Sequence, residues 1–263
     1  MQQCQPKLYF IIKHCHLLVL SEVQLEIRKL KNVNLKGGIV LDGFPSVGLA
    51  GAVASECLVH TLKTNLVAVV DSPAFPPLSI IQSAMPNFPA RVYANEELHL
   101  AMFVSELNLD RSMFRPVANL MLDWATSSNC DLIVSAAGVL HDVTAGAATN
   151  SVYAVGSTPH ALSKATEAGI PHALSGSVTG IPAILLNEGS WRNYDVIVLL
   201  VKVVHDAPDF RAGAAVAETL ARLAPGAKCD VPALLKQAEL TEKTLKKLKS
   251  DQALNSTEGR MYG

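Results

Sequence analysis

Gly43-Phe44-Pro45-Ser46-Val47-Gly48 stands between the apolar run Gly38 to Asp42 and the Ala-rich run Leu49 to Leu62. A strand, a glycine turn and a helix in that order form the place where a phosphate sits on a helix N-terminus. The gripping residues are missing, however. A P-loop needs Lys and Ser or Thr after its second glycine, and here Leu49-Ala50 follow Gly48. A dinucleotide fingerprint needs one residue between its first two glycines, and four separate Gly43 from Gly48. The motif therefore reads as a tight turn whose glycines let a helix pack closely.

Other residue groups suggest chemistry without completing it. Ser175-Gly176-Ser177-Val178-Thr179-Gly180 offers hydroxyls near His172, but no Gly-x-Ser-x-Gly is present and no base is fixed beside it. Those hydroxyls are expected to satisfy local backbone. Asp42, Asp71, Glu106 and Glu188 lie at predicted element ends, where carboxylates do acid-base work or cap turns and helices. The eight histidines form no His-Glu-x-x-His and no zinc spacing with cysteine. Five widely spaced cysteines, Cys4, Cys15, Cys57, Cys130 and Cys229, read as reduced thiols of a cytosolic protein rather than a disulfide frame. No catalytic residue, cofactor or metal ligand is assigned.

The elements that must position these residues follow from hydrophobic spacing. Strands are expected at Gly38 to Asp42, Val67 to Asp71, Ile80-Ile81, Arg91 to Tyr93, Leu98 to Val104, Leu132 to Ser135, Val152 to Val155 and Val196 to Val204. Helices are expected at Leu49 to Leu62, Arg115 to Thr126, Pro159 to Ala168, Asp209 to Leu223 and Val231 to Lys249. Gly180 to Glu188 is an apolar run that periodicity alone cannot assign to a buried strand or a buried helix. Alternating strands and helices predict a mostly parallel sheet covered on both faces, a single three-layer α/β/α domain.

With 49% hydrophobic and 17% charged residues the 263-residue chain is built to bury a large core. A formal net charge of -1 and no basic stripe argue against nucleic acid as a partner. Leu8 to Leu20 is apolar but carries Lys13, His14 and His16 and is shorter than the roughly 20 residues of a membrane span, so no membrane contact is expected. Residues 1–22 read as an N-terminal extension, 23–249 as the α/β domain and 250–263 as a flexible tail. The ten residues Ser250 to Gly259 can extend about 35 Å. The chain ends Met261-Tyr262-Gly263, and such an ending can bury an aliphatic group, seat a Tyr ring in a slot and pair its carboxylate with a basic side chain of a partner.

Asp42 to Gly51 resembles the opening motif of the proteasome assembly chaperone family, whose archaeal members show Gly-Phe-Pro-x-Val-Gly and whose eukaryotic relative is the proteasome assembly chaperone 2 subunit. Asp71-Ser72-Pro73-Ala74-Phe75-Pro76-Pro77 resembles its proline-rich turn, Phe103-Val104-Ser105-Glu106 its next strand, Gly180 to Glu188 its apolar helix, and Pro208-Asp209 the start of its late helix. The stretch Gly138 to Gly180 departs from the pattern. The resemblance implies a nucleoside-phosphorylase-like α/β sandwich with no established catalytic site, and a cytoplasmic homo-oligomer. It also implies a terminal hydrophobic-Tyr-any motif, here Met261, Tyr262 and Gly263, that enters pockets between α subunits of the proteasome core particle. Gly43, Phe44, Pro45 and Gly48 would then be structural. A second reading, from a different class, is a nucleoside, nucleotide or phosphate binder or a phosphorylase-like enzyme with a cleft near Gly43 to Gly48 and Ser175 to Thr179.

Overall fold

A computed structural model describes residues 24–139, 151–203 and 208–236. The chain enters as β1 (Glu26–Lys29) and passes to β2 (Ile39–Gly43), a short 3-10 turn (Val47–Leu49) and α1 (Ala50–Thr61). It continues through β3 (Asn65–Asp71), the small hairpin β4 (Ile80–Gln82) and β5 (Met85–Asn87), β6 (Ala90–Asn95) and β7 (Leu100–Ser105) to α2 (Arg111–Ser127). Then come β8 (Leu132–Val139), β9 (Val152–Gly156), α3 (Pro159–Glu167), α4 (Ile181–Arg192), β10 (Val196–Lys202) and α5 (Phe210–Leu223). Residues 231–236 are again helical. The expected boundaries at 22/23 and 249/250, the rest of the predicted last helix, and the three terminal residues lie outside the described residues, as do Cys4 and Cys15.

Eight strands form one sheet in the order β1-β3-β6-β7-β2-β8-β10-β9. The expectation of a mostly parallel sheet is corrected. The three pairings among β7, β2, β8 and β10 are parallel, whereas the other four are antiparallel. Parallel neighbours need a crossover long enough for a helix. Between β3 and β6 the chain has the proline-broken segment around Pro73, Pro76 and Pro77 and the β4–β5 hairpin, and between β6 and β7 a short turn at His99 (φ 48°), with no helix in either connection, so those strands fold back on one another.

The sheet is covered on both faces. Against one face α2 and α4 pack Val117, Met121, Leu122, Ile181 and Leu185, and Phe103 meets Trp124 edge-on at 5.4 Å. Against the other, α1, α3 and α5 pack Ala54, Leu58, Ala161, Val216 and Leu220. The apolar run that periodicity left open is helix α4. Pro182 sits in its first turn after Gly180 (φ 77°), and Ile181, Leu185 and Gly189, four residues apart, are buried. α2 starts four residues earlier than its spacing predicts, at Arg111, and carries Pro116 inside it. β1 went unforeseen because three of its four residues, Glu26, Arg28 and Lys29, are charged.

The reading of all cysteines as reduced thiols is also corrected. Cys57 on α1 and Cys229 beyond α5 form a disulfide with Cα atoms 5.7 Å apart. The packing of α5 on α1 makes that meeting, and a sequence separation of 172 residues gave no hint of it. Cys130 is free and buried, as expected of a core thiol.

Candidate functional site

β2 is apolar and central, so its C-terminal end reaches the edge of the sheet with its backbone fixed on both sides. There the chain must reverse into α1 within a few residues, and Gly43 to Leu49 makes that turn. A Cβ on Gly43 would lie 2.2 Å from the Phe103 carbonyl oxygen, and one on Gly48 2.5 Å from Val203 Cγ1. Phe44 is 3% exposed and belongs to the core beside α2 and α4. Pro45 faces the opposite way, into a groove along α1. Ser46 Oγ donates to the Ala136 carbonyl at 3.1 Å, the Leu49 amide to the Ser46 carbonyl at 2.9 Å, and the Asp209 amide to the Gly48 carbonyl at 2.9 Å. Asp209 in turn accepts from the Ala212 amide and caps α5. The turn thus ties β2, β8, α1 and α5 together, which accounts for its glycines without a ligand. Leu49 itself is left-handed (φ 54°), a conformation that costs a branched residue about 1 kcal/mol and that the sequence did not announce.

Asp42 is buried just ahead of the turn. Its carboxylate accepts from the Phe44 amide at 3.0 Å and from Ser135 Oγ at 2.7 Å. Burial pushes its pKa up to about 6 against the pull of those two hydrogen bonds. A folded-state pKa raised above the unfolded value favours the fold fully below the unfolded value and loses that contribution as pH rises through about 6. Asp42→Asn keeps both hydrogen bonds, with its Nδ2 donating to Ser135, and removes the charge. The variant is expected to lose less stability than wild type between pH 4 and pH 7.5, by on the order of 2–3 kcal/mol. Urea unfolding at both pH values measures it, and identical pH slopes in the two proteins contradict the assignment.

The groove beside the turn has a volume of about 1070 Å³ and is mainly apolar, with Leu49, Val53, Phe210 and Leu234 on its walls. Its polar lining includes Glu56, His60, Glu106 and Asp230. Sequence reading missed it because it is made by four segments distant in the chain. One signal was available: α1 carries only Glu56 and His60 as ionisable side chains besides Cys57, so both of its sides are apolar.

The remaining candidates are kept apart. Ser175, Gly176 and Val178 line a separate cavity of about 330 Å³ with Leu186 and Val155, on the face of α2 and α4. The groove at Pro45 lies on the face of α1 and α5, so Pro45 and the Ser175 segment that the small-molecule reading brings together line different cavities. His172 Nε2 bonds to Thr166 Oγ1 at 3.0 Å and not to the serines. Each carboxylate has its own partner: Asp71 pairs with Arg28 at 2.8 Å, Glu106 with Arg91, and Glu188 with Arg115. Among the described residues no group of three His, Cys, Asp or Glu could hold a metal ion, and no helix is long and apolar enough to cross a membrane. Met261, Tyr262 and Gly263 lie outside the described residues.

Comparison with known proteins places these features. The sequence profile of the PAC2 family matches residues 40–249. An uncharacterized protein of Methanocaldococcus jannaschii is 24% identical over 216 residues, covering 82% of this chain and 87% of the relative. The crystal structure of Pyrococcus furiosus PbaA, described as an archaeal homolog of proteasome-assembly chaperone, superposes with a TM-score of 0.74 at 27% identity, covering 91% of this chain and 99% of PbaA. Pyrococcus furiosus PbaB, described as an archaeal proteasome activator, shares the fold with a TM-score of 0.71 at 22% identity, covering 86% of this chain and 98% of PbaB.

Proposed function

The chain belongs to the PAC2 family, and on that footing we propose that it is a non-enzymatic proteasome assembly chaperone or adaptor acting in the cytoplasm. The carrying observation is the match to PbaA over nearly the whole of both chains, combined with the Met261-Tyr262-Gly263 ending. His172 bonds to Thr166 rather than to the Ser175 to Thr179 hydroxyls, and Asp71, Glu106 and Glu188 each pair with a different arginine; this supports the non-enzymatic part, since a catalytic constellation needs its groups within hydrogen-bond reach of one another. The closely packed Gly43 to Leu49 turn supports a scaffolding role for the motif.

In mechanism, the α/β body forms a homo-oligomer and presents several tails. Residues 250–259 give each tail reach, Tyr262 anchors in a pocket between proteasome α subunits, Met261 fills the adjoining apolar position and the Gly263 carboxylate meets a lysine. Linked copies turn weak single contacts into tight binding through effective concentration. A buried aromatic anchor is typically worth at least 2 kcal/mol, so Tyr262→Ala should weaken each tail about 30-fold and the oligomer by more. Pull-down on immobilised α ring measures this. Equal retention of wild type and variant is the outcome that excludes the anchor.

A further inference from the structure

Beyond Ala227, which is fully buried, no described residue of the C-terminal segment is buried; Val231 and Leu234 are half-buried and most of their neighbours through 236 are exposed. Its hydrogen bonds are local. The Lys228 amide donates to Gly226, the Val231 amide to Cys229 and the Leu234 amide to Asp230, whose carboxylate also accepts from the Ala233 amide. Little non-covalent contact therefore fixes the root of this segment. What fixes it is the bond from Cys229 to Cys57, and Cys57 lies on the wall of the open groove along α1, where a reagent can approach. Cys130, by contrast, is 4% exposed with its thiol donating to the Leu35 carbonyl at 3.6 Å. Burial, aided by Asp131, pushes that thiol up to about 11, so it is a poor competitor in exchange.

We propose that Cys57–Cys229 is a thiol–disulfide exchange site, a reversible latch that holds the start of the C-terminal helical segment against α1 when oxidised and releases it when reduced. One thiolate of a dithiol reductant attacks either sulfur, the S–S bond breaks, and the departing cysteine leaves as a thiolate that takes up a proton. The second thiol of the reductant then resolves the mixed disulfide. Two electrons and two protons pass to Cys57 and Cys229, and the dithiol becomes a disulfide. In a reducing compartment such a bond is transient rather than structural, which suits a latch. Once it opens, Asp230, Ala233 and Leu234 are the described residues of the segment left on the groove wall, without a covalent tie.

The test uses the full chain and needs no proteasome, so its outcome is separate from that of the tail reading. Protein oxidised with glutathione disulfide is digested without reductant and then compared with protein treated with dithiothreitol. The expected results are a Cys57–Cys229 cross-linked peptide only in the oxidised sample, and amide hydrogen exchange in 228–236 at least tenfold faster after reduction with β2 unchanged. Cys229→Ser and Cys57→Ser should each show the fast exchange without reductant, and dithiothreitol should add nothing to either. Absence of the cross-linked peptide, or equal exchange of 228–236 in oxidised and reduced wild type, overturns the proposal. The wild-type comparison decides even where a variant folds poorly.

Discussion

Gly48→Val is expected to destabilise the fold by about 2–5 kcal/mol, a large part of the 5–15 kcal/mol that holds a typical domain together. Two separate penalties add. Gly48 has φ +72°, where a branched side chain is strained by about 1–2 kcal/mol. Its Cβ would also stand 2.5 Å from Val203 Cγ1 and 2.6 Å from Val203 Cβ, and Val203 is itself 5% exposed and unable to retreat, so overpacking adds about 1–3 kcal/mol. Gly169 offers the control. It has φ +66° with nothing within 4 Å of the point a methyl group would occupy, so Gly169→Ala should show the backbone penalty alone, about 1 kcal/mol. Denaturant midpoints of the two variants separate the terms. Equal losses in both would show that contact with Val203 is unimportant and that the turn is looser than described.

Glu106→Ala should cost about 2–3 kcal/mol through Arg91. Arg91 is 4% exposed on β6, opposite Val104 of β7, and its ion pair is to Glu106. Its Nε has no hydrogen-bond partner, and the guanidinium lies 5.9 Å from the centroid of the Tyr93 ring. Removing the carboxylate strands a buried charge, which costs about 3–5 kcal/mol when water is wholly excluded. The Glu106 side chain is 37% exposed toward the groove, so water enters and the lower figure applies. Replacing Arg91 by Met in the same chain should recover most of the loss, because the stranded charge is then gone. Unfolding of the two single variants and the double variant gives the coupling. A neutral Glu106→Ala, or a double variant no better than the single, contradicts this account.

Local signals carried much of the fold. Gly38 to Asp42 and the run from Val196 are apolar enough to be central strands wherever they pair, and β2 (Ile39–Gly43) and β10 (Val196–Lys202) stand there. α5 showed its start in Asp209 and its end near Pro225-Gly226. What depended on distant residues stayed hidden. The direction of β3 and β6 is set by connections that proline keeps from forming helices. The Cys57–Cys229 bond and the groove come from how α5 and the following segment lie on α1. Leu49 takes its left-handed form because the turn is held at both ends, which no propensity of leucine records. For the site, the Gly-Phe-Pro motif was legible as a turn, while its attachment to Ala136 and Asp209 needed the fold.

The claim at the centre is that a folded body delivers a C-terminal tyrosine to a pocket on the proteasome. Sedimentation of purified α ring with the full chain and with a chain lacking residues 261–263 tests it most directly, with the body's own oligomer size recorded in the same runs. Co-sedimentation of the full chain, its loss on removing the three residues, and an unchanged oligomer are the predicted results. A truncated chain that still travels with the ring at undiminished affinity would contradict the account.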